Sequence, residues 1–483
     1  MPAELTPTMN AQLERLAALD HAHVWHPFTA MRQWRERNPL IIERAEGFRL
    51  IDVNGASYID GHSSLWCNVH GHRVPEIDDA IRGQLDLVAH ATMLGAATVP
   101  AIELASLLVE FVNATPPKRP SAPLNKVFFT DAGATATEVA FKMAAGHHFH
   151  RGDRERTRFL AVRGGYHGDT VGAMSVGFLK SMHAPFEDLV FTTRHIPGPD
   201  ARNEAPTVGM ESEWPSWDER RMSRAHEASL TALRDVLAES GPTIAALVLE
   251  PLLQGAGGII QQPEGFVSDV ADLCREHGVL LIADEVATGL ARTGAMLACD
   301  HERVRPDILC LAKGLTGGYL PLAATLCTDD IAQSFEGELH ENRTLYHGHT
   351  YTGNPLGAAA ALASMNLLRD RGVVENAATL GRITRQRLRE SLSNHPHVGD
   401  VRNRGVMTGI ELVANRKPWQ SFESTKRIGA HICDQALSRG VLIRPLGDVI
   451  VLNPAPAMDE DTLHLLLDAV IDTIQSTNFD RIS

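Results

Sequence analysis

Two short apolar runs, residues 279–283 and 308–312, each close on a charged residue, and nothing else in the chain restricts its fold so strongly. Both are rich in Leu, Ile and Val without polar alternation, the pattern of strands buried on both faces of a parallel sheet. In open α/β sheets, functional groups collect beyond the carboxyl ends of such strands. The groups placed there are Asp284 and Lys313. Gly314, Gly317 and Gly318 follow the lysine and leave room for a flat group to approach the backbone.

An acid and a lysine in that relation suit pyridoxal 5'-phosphate (PLP). The lysine amine condenses with the cofactor aldehyde, and a carboxylate at the pyridine nitrogen keeps the ring protonated so that it withdraws electrons from a substrate carbanion. At contact distance a carboxylate and a cation shift each other's pKa by roughly 1 to 3 units toward the charged forms. Taken singly, Asp284 reads as a helix cap and Lys313 as a solvated surface lysine. Their shared position after buried runs favours the cofactor.

Length and composition exclude little but point one way. A chain of 483 residues accommodates two or three domains, and 44% apolar with 22% charged residues is ordinary for a soluble globular protein. A formal charge of −14 disfavours binding to a phosphate backbone, so no nucleic-acid partner is expected. Cys67, Cys274, Cys299, Cys310, Cys327 and Cys433 are scattered without a C-x-x-C pair, which predicts reduced core residues and a cytoplasmic protein. The start of the chain lacks a basic-then-apolar leader, and no later run approaches the roughly eighteen apolar residues of a membrane span, so no membrane partner is expected.

Along the chain, residues 1–20 read as a short amphipathic helix carrying Leu13, Leu16 and Leu19. HVWHPFTAM, residues 23–31, lacks periodicity and reads as a pocket-lining loop or as an arm laid over the body or a partner. Asn54-Gly55 between two strand-like runs predicts a hairpin. TDAGATATEVAFK is a strand, a small-residue turn and a helix, and its Gly133 and Ala134 N–H groups make an anion cradle at a helix N-terminus. Tyr166, in the Gly-rich turn RGGYHGD, suits stacking on a planar ring, with Asp169 as a pocket hydrogen-bonder or helix cap. Residues 197–224 read as a polar surface excursion. Arg444 stands at a strand end in VLIRPLG, where its planar fork suits a carboxylate. Arg292 is a second basic candidate with a structural role. The pairs His70/His72 and His347/His349 lack a third ligand nearby and read as hydrogen-bonding histidines. A dinucleotide fingerprint is incomplete in QGAGG, which argues against a nicotinamide dehydrogenase.

DEVATG, RTG and PDILCLAKGLTGGYLPLAAT resemble the signature of the class III, or omega, aminotransferases of the type I PLP fold, and the likeness extends from His23 to about Ile471. The resemblance implies an α/β fold: a large cofactor domain over residues 73–368 with a mainly parallel sheet, and a smaller α+β domain over 369–483 joined by the N-terminal segment 1–72. It implies Lys313, Asp284 and Tyr166 as catalytic residues, with PLP held by them together with Gly133, Ala134 and Thr350, the last across a homodimer interface with shared active sites. Glu250, in the E-P pair, is implied as polar support.

Within the family the chain is most similar to the biotin-pathway branch. That implies transfer of an amino group to 8-amino-7-oxononanoate from S-adenosylmethionine or lysine, with Trp66, Phe28, Tyr166, Gly348 and Arg444 at the substrate. Phe28 stands where that branch carries tyrosine, and Leu65 where it carries a first tryptophan, so one hydroxyl and one ring of the donor pocket are lost. Trp66 has a core tryptophan as its alternative. The other activity the resemblance allows is an omega-aminotransferase of diamines or omega-amino acids with a ketoacid acceptor; a binding module of the same fold that has lost catalysis is disfavoured by the intact Lys313, Asp284 and Tyr166.

Overall fold

A computed structural model describes residues 7–210 and 213–482. Its centre is a seven-stranded sheet in the order Leu124–Thr130, Ala323–Thr328, Ile308–Leu311, Leu280–Asp284, Ile244–Leu249, Arg158–Val162, Arg194–Ile196. The five strands from Ile308–Leu311 onward are parallel, and Ala323–Thr328 runs antiparallel to both of its neighbours. Every residue of Ile244–Leu249 is buried, as expected of a continuous apolar run in the middle of a sheet covered on both faces. Helices Gly133–His150, Phe266–Glu276 and Pro355–Asp370 are among those that cover it.

Register decides what the sheet presents at its edge. Ile282 pairs with Ile308 and Asp284 with Cys310, so the two runs read from the sequence are neighbours that end together. Asp284 closes its strand, and Lys313 opens a short 3-10 turn two residues past the other strand, at φ 41°.

Two four-stranded sheets flank this core. One joins Ile42–Glu46, Arg49–Asp52 and Ser57–Asp60 to Val441–Leu442; the other comprises Val398–Arg404, Met407–Leu412, Val449–Leu452 and Arg444–Leu446. VLIRPLG is therefore two strands rather than one: the chain changes sheet at Ile443, and Arg444 begins the second. The expected hairpin is present, its turn closed by Asp52 Oδ1, which accepts the N–H groups of Asn54 at 2.9 Å and Ala56 at 2.8 Å.

The N-terminal helix spans Pro7–His23, with Leu13 and Leu16 half-buried and Leu19 exposed; residues 1–6 of the expected helix lie outside the described residues.

The segment 197–224, of which residues 211–212 lie outside the described residues, is not a surface excursion but a strap against the C-terminal sheet. Trp214 is buried and its indole donates to the Val398 carbonyl at 3.3 Å; Trp217 donates to the Val401 carbonyl at 2.6 Å. Ser216 Oγ donates to Asp400 at 2.7 Å, and Arg202 joins Asp200 to Glu411. The charges of Asp200, Arg202 and Asp218 are met inside the protein, and composition does not reveal a partner two hundred residues away.

His70 gives a titration that reports on folding. Its Nε2 lies 3.0 Å from the Ser364 carbonyl and 3.1 Å from Ser364 Oγ, while Nδ1 is buried without a partner. Burial pushes its pKa down to about 4, with the Ser364 carbonyl pulling partly back. Between about pH 6.5 and 4 the unfolded chain therefore binds a proton that the folded chain refuses, and stability falls as pH falls, by about 2 kcal/mol at pH 5. In a His70→Gln variant the loss of thermal midpoint between pH 7 and pH 5 is expected to be smaller than in the unsubstituted protein. An equal or larger loss would assign the acid sensitivity to other groups.

Candidate active site

A cavity of about 450 Å³ opens beyond the carboxyl ends of the central strands, within the size range of small-molecule sites. Asp284 and Lys313 line it together with Tyr166, Trp66, Gly133 and Ala134. The elements that bring them together come from every part of the large sheet and from the N-terminal segment.

Asp284 is held from two sides. Its Oδ1 accepts the Val286 N–H at 3.0 Å and its Oδ2 pairs with His167 Nδ1 at 2.7 Å, in a position with almost no solvent exposure. Burial lowers the pKa of His167, but the hydrogen bond to Asp284 and the charges of Asp284 and Glu250 outweigh it and hold the value above that of an ordinary histidine. The His167 ring, bonded to Oδ2, fixes the orientation of the carboxylate. Each carboxylate oxygen keeps a further lone pair for a donor inside the cavity.

Burial lowers the pKa of Lys313, with the carboxylates of Asp284 and Glu250 pulling it partly back. Its Nζ lies 4.8 Å from the centre of the Trp66 ring. The tryptophan reaches that position from a strained segment: Ser63, Ser64 and Trp66 have φ of 50°, 59° and 62°, a region that non-glycine residues avoid. Arg292, buried, supports the segment by donating to Ser63 Oγ at 3.1 Å and to the Asn68 carbonyl at 2.7 Å.

Tyr166 is fixed at both ends. Its N–H donates to Glu250 Oε1 at 2.9 Å and its hydroxyl donates to Asp169 Oδ2 at 2.6 Å, so Asp169 is a pocket residue and does not cap the helix Val171–Val176. Burial, followed by Asp169, pushes the phenol pKa far up, which keeps the hydroxyl a donor. Glu250, which lines the cavity and is itself buried, is pushed up to about 7, first by burial.

The helix Gly133–His150 begins at the cavity wall without a side-chain cap, leaving first-turn N–H groups free for an anion. A side chain at Gly133 would lie 2.6 Å from Val286 Cγ1, and one at Gly168, at φ +123°, would lie 2.3 Å from Ala134 Cβ. Only glycine leaves these walls where they are. A lysine amine, a fixed carboxylate and an uncapped helix start around one cavity match the aldehyde, ring nitrogen and phosphate of PLP.

Other residues singled out from the sequence lie elsewhere in the single chain. Phe28, Gly348, Thr350 and Arg444 are exposed and do not line the cavity. Arg444 is nevertheless near its Trp66 corner: its charge, with those of Arg292 and Lys313, presses on buried His62, whose ring is 5.9 Å from Trp66. Burial, reinforced by these charges and opposed by Asp60, pushes His62 down to about 4. His72 pairs with Asp60 at 3.0 Å and His347 with Lys142 at 3.1 Å; among the described residues no three His, Cys, Asp or Glu side chains group as a metal site. His167 was missed. Its only signal in the sequence is adjacency to Tyr166.

The profile of the family described as Aminotransferase class-III matches residues 30–474. The chain belongs to the class-III aminotransferases. This class-III chain is 46% identical to the adenosylmethionine-8-amino-7-oxononanoate aminotransferase of Nitratidesulfovibrio vulgaris, over 96% of its own length and 82% of the relative's. It is 41% identical to the enzyme of that name from Geobacter sulfurreducens, over 95% and 96% of the two chains. The crystal structure of the Methanocaldococcus jannaschii enzyme of that name superposes with a TM-score of 0.86 at 40% identity, covering 96% of this chain and all of that one. A PLP-bound amine transaminase from an uncultivated Pseudomonas species superposes at 0.85 with 33% identity, over 95% and 99%. The α/β architecture is thus the type I fold of PLP-dependent transferases, as expected from the sequence.

Proposed function

We propose that this class-III aminotransferase converts 8-amino-7-oxononanoate to 7,8-diaminononanoate, a step of biotin biosynthesis, with S-adenosylmethionine as amino donor. The observation that carries the reading is the meeting of Lys313, Asp284 and Tyr166 in one cavity of a chain so similar, end to end, to enzymes of that name.

PLP, when bound, supplies an aldehyde that exchanges amino groups and a ring that accepts the electron pair of the substrate carbanion. The protein supplies the rest. Lys313 Nζ, kept toward its neutral form by burial, takes the proton from the substrate carbon that bears the amine and returns one on the reverse half-reaction. Asp284, oriented by His167, would hold positive charge at the ring nitrogen. Gly133 and Ala134 would direct N–H groups to the phosphate, and Tyr166 would cover the ring. Trp66 forms the apolar wall along the substrate chain, and Arg444 takes its distant carboxylate.

The reading includes a homodimer in the cytoplasm, with Thr350, Gly348 and Phe28 completing the neighbouring subunit's site. Supporting it, Leu87 and Leu94 are 80% and 91% exposed beside the contact between His90 and Tyr351, whose rings are 4.9 Å apart next to Thr350. It also takes residues 73–368 as the cofactor domain and 369–483, with segment 1–72, as the smaller one.

The test is a product assay. Protein loaded with PLP is incubated with 8-amino-7-oxononanoate and either S-adenosylmethionine, lysine or a simple diamine, and products are read by mass spectrometry. 7,8-Diaminononanoate formed with S-adenosylmethionine is the expected result, and formation with lysine alone would change the donor. Turnover only with a diamine and a ketoacid would replace the assignment by a general omega-aminotransferase.

A further inference from the structure

Glu250 stands one residue past the central strand Ile244–Leu249, between the strands that lead to Asp284 and to the Tyr166 turn. Its carboxylate is divided between two loops. Oε1 accepts the Tyr166 N–H at 2.9 Å, and Oε2 accepts the Gly255 N–H at 2.9 Å. Gly255 in turn abuts the tryptophan wall: a Cβ there would lie 2.8 Å from Trp66 Cζ3. The two loops also interlock, since a Cβ at Gly257 would lie 2.4 Å from the Gly164 carbonyl oxygen. From the opposite side Arg402 closes a fork on the Gly258 carbonyl, with Nη2 at 2.8 Å and Nε at 3.1 Å.

We propose that Glu250 is a positioning residue for the transamination: one carboxylate sets the distance between Tyr166, on the cofactor side of the cavity, and Trp66, on the substrate side. A carboxylate is required because both partners are N–H donors and each uses a different oxygen. Glutamine would fill the same space but turn an NH2 toward one of the two donors. That releases one wall while the other stays pinned. Displacing a reacting group by about 1 Å through a change away from the chemistry costs about 10²-fold in rate.

The test compares Glu250→Gln, Gly255→Ala and Asp218→Asn. Gly255→Ala retains the buried acid but crowds both Trp66, at 2.8 Å from Cζ3, and Glu250 Oε2, at 3.3 Å, so it perturbs the same spacing even where Glu250→Gln folds poorly. Asp218 is a fully buried acid that accepts from Thr207, Arg220 and Arg221 away from the cavity, and serves as the stability control. Each protein is loaded with PLP, and three quantities are read: thermal midpoint, visible circular dichroism of the bound cofactor, and kcat and KM separately.

Glu250→Gln and Gly255→Ala are expected to weaken the cofactor dichroism and lower kcat/KM by about 10²-fold. Asp218→Asn is expected to lower the midpoint and leave the dichroism unchanged. Glu250→Gln with full dichroism and kinetic constants within about twofold of the unsubstituted protein, whatever its midpoint, would overturn the proposal. Only the kinetic arm rests on the functional reading above. The dichroism is read without substrate, so a wrong acceptor assignment leaves this proposal decided by the spectrum.

Discussion

Lys313→Ala is expected to lower turnover by about 10⁴-fold or more, because in the proposed reaction one side chain both anchors the cofactor and moves the proton. The other titratable groups at the cavity are already engaged, Glu250 accepting the Tyr166 and Gly255 N–H groups through its two oxygens. Tyr166 keeps its phenol proton, its pKa pushed far up by burial and by Asp169, and His167 is committed to Asp284. Trp66, the remaining large side chain near Nζ, has no basic atom. Folding should be little affected, since a lysine half-buried at a cavity wall contributes few packing contacts. The check is single-turnover kinetics on the variant with added PLP, beside its thermal midpoint. Residual activity within about 10²-fold of the unsubstituted protein would move the proton transfer to another group.

Asp284→Asn is expected to reduce kcat/KM by about 10³-fold, through charge rather than shape. The amide has nearly the volume of the carboxylate and can still accept the Val286 N–H, so the strand end should keep its geometry. What is lost is the negative charge that pairs with His167 and that, in the proposed reaction, faces the ring nitrogen. A 10³-fold loss corresponds to about 4 kcal/mol of transition-state stabilisation, at 1.36 kcal/mol per tenfold. His167 reports the change independently. Its pKa is held up by Asp284, so in the variant it should fall, because the burial that lowers it is no longer opposed by that carboxylate. Histidine NMR across pH reads this directly. A pKa that stayed high in the variant would transfer the effect to Glu250.

The chemistry at the strand ends was legible because it is local: an apolar run, a charged residue and glycines lie within a few positions of one another, and the sheet register then brings Asp284 and Lys313 to one edge. The strand, small-residue turn and helix at Gly133 were legible for the same reason, as three elements in succession. The pair His167–Asp284 spans 117 positions, and the Glu250 carboxylate is joined to a turn 84 positions earlier. Neither carries a spacing that a linear reading detects. The strap of residues 197–224 misled because its charges look solvent-seeking until Asp400 and Glu411 are seen opposite them. Arg444 is intermediate: a strand end was visible, but not the change of sheet at Ile443 that sets where the arginine starts.

The measurement closest to the central claim is chemical mapping of the cofactor. PLP-loaded protein is reduced with borohydride, digested and analysed by mass spectrometry. A phosphopyridoxyl mass on the peptide containing Lys313, and its loss when S-adenosylmethionine is added before reduction, is the predicted result. A label on another lysine, or full transaminase activity with Lys313 unlabelled, would contradict the assignment of this cavity as the active site.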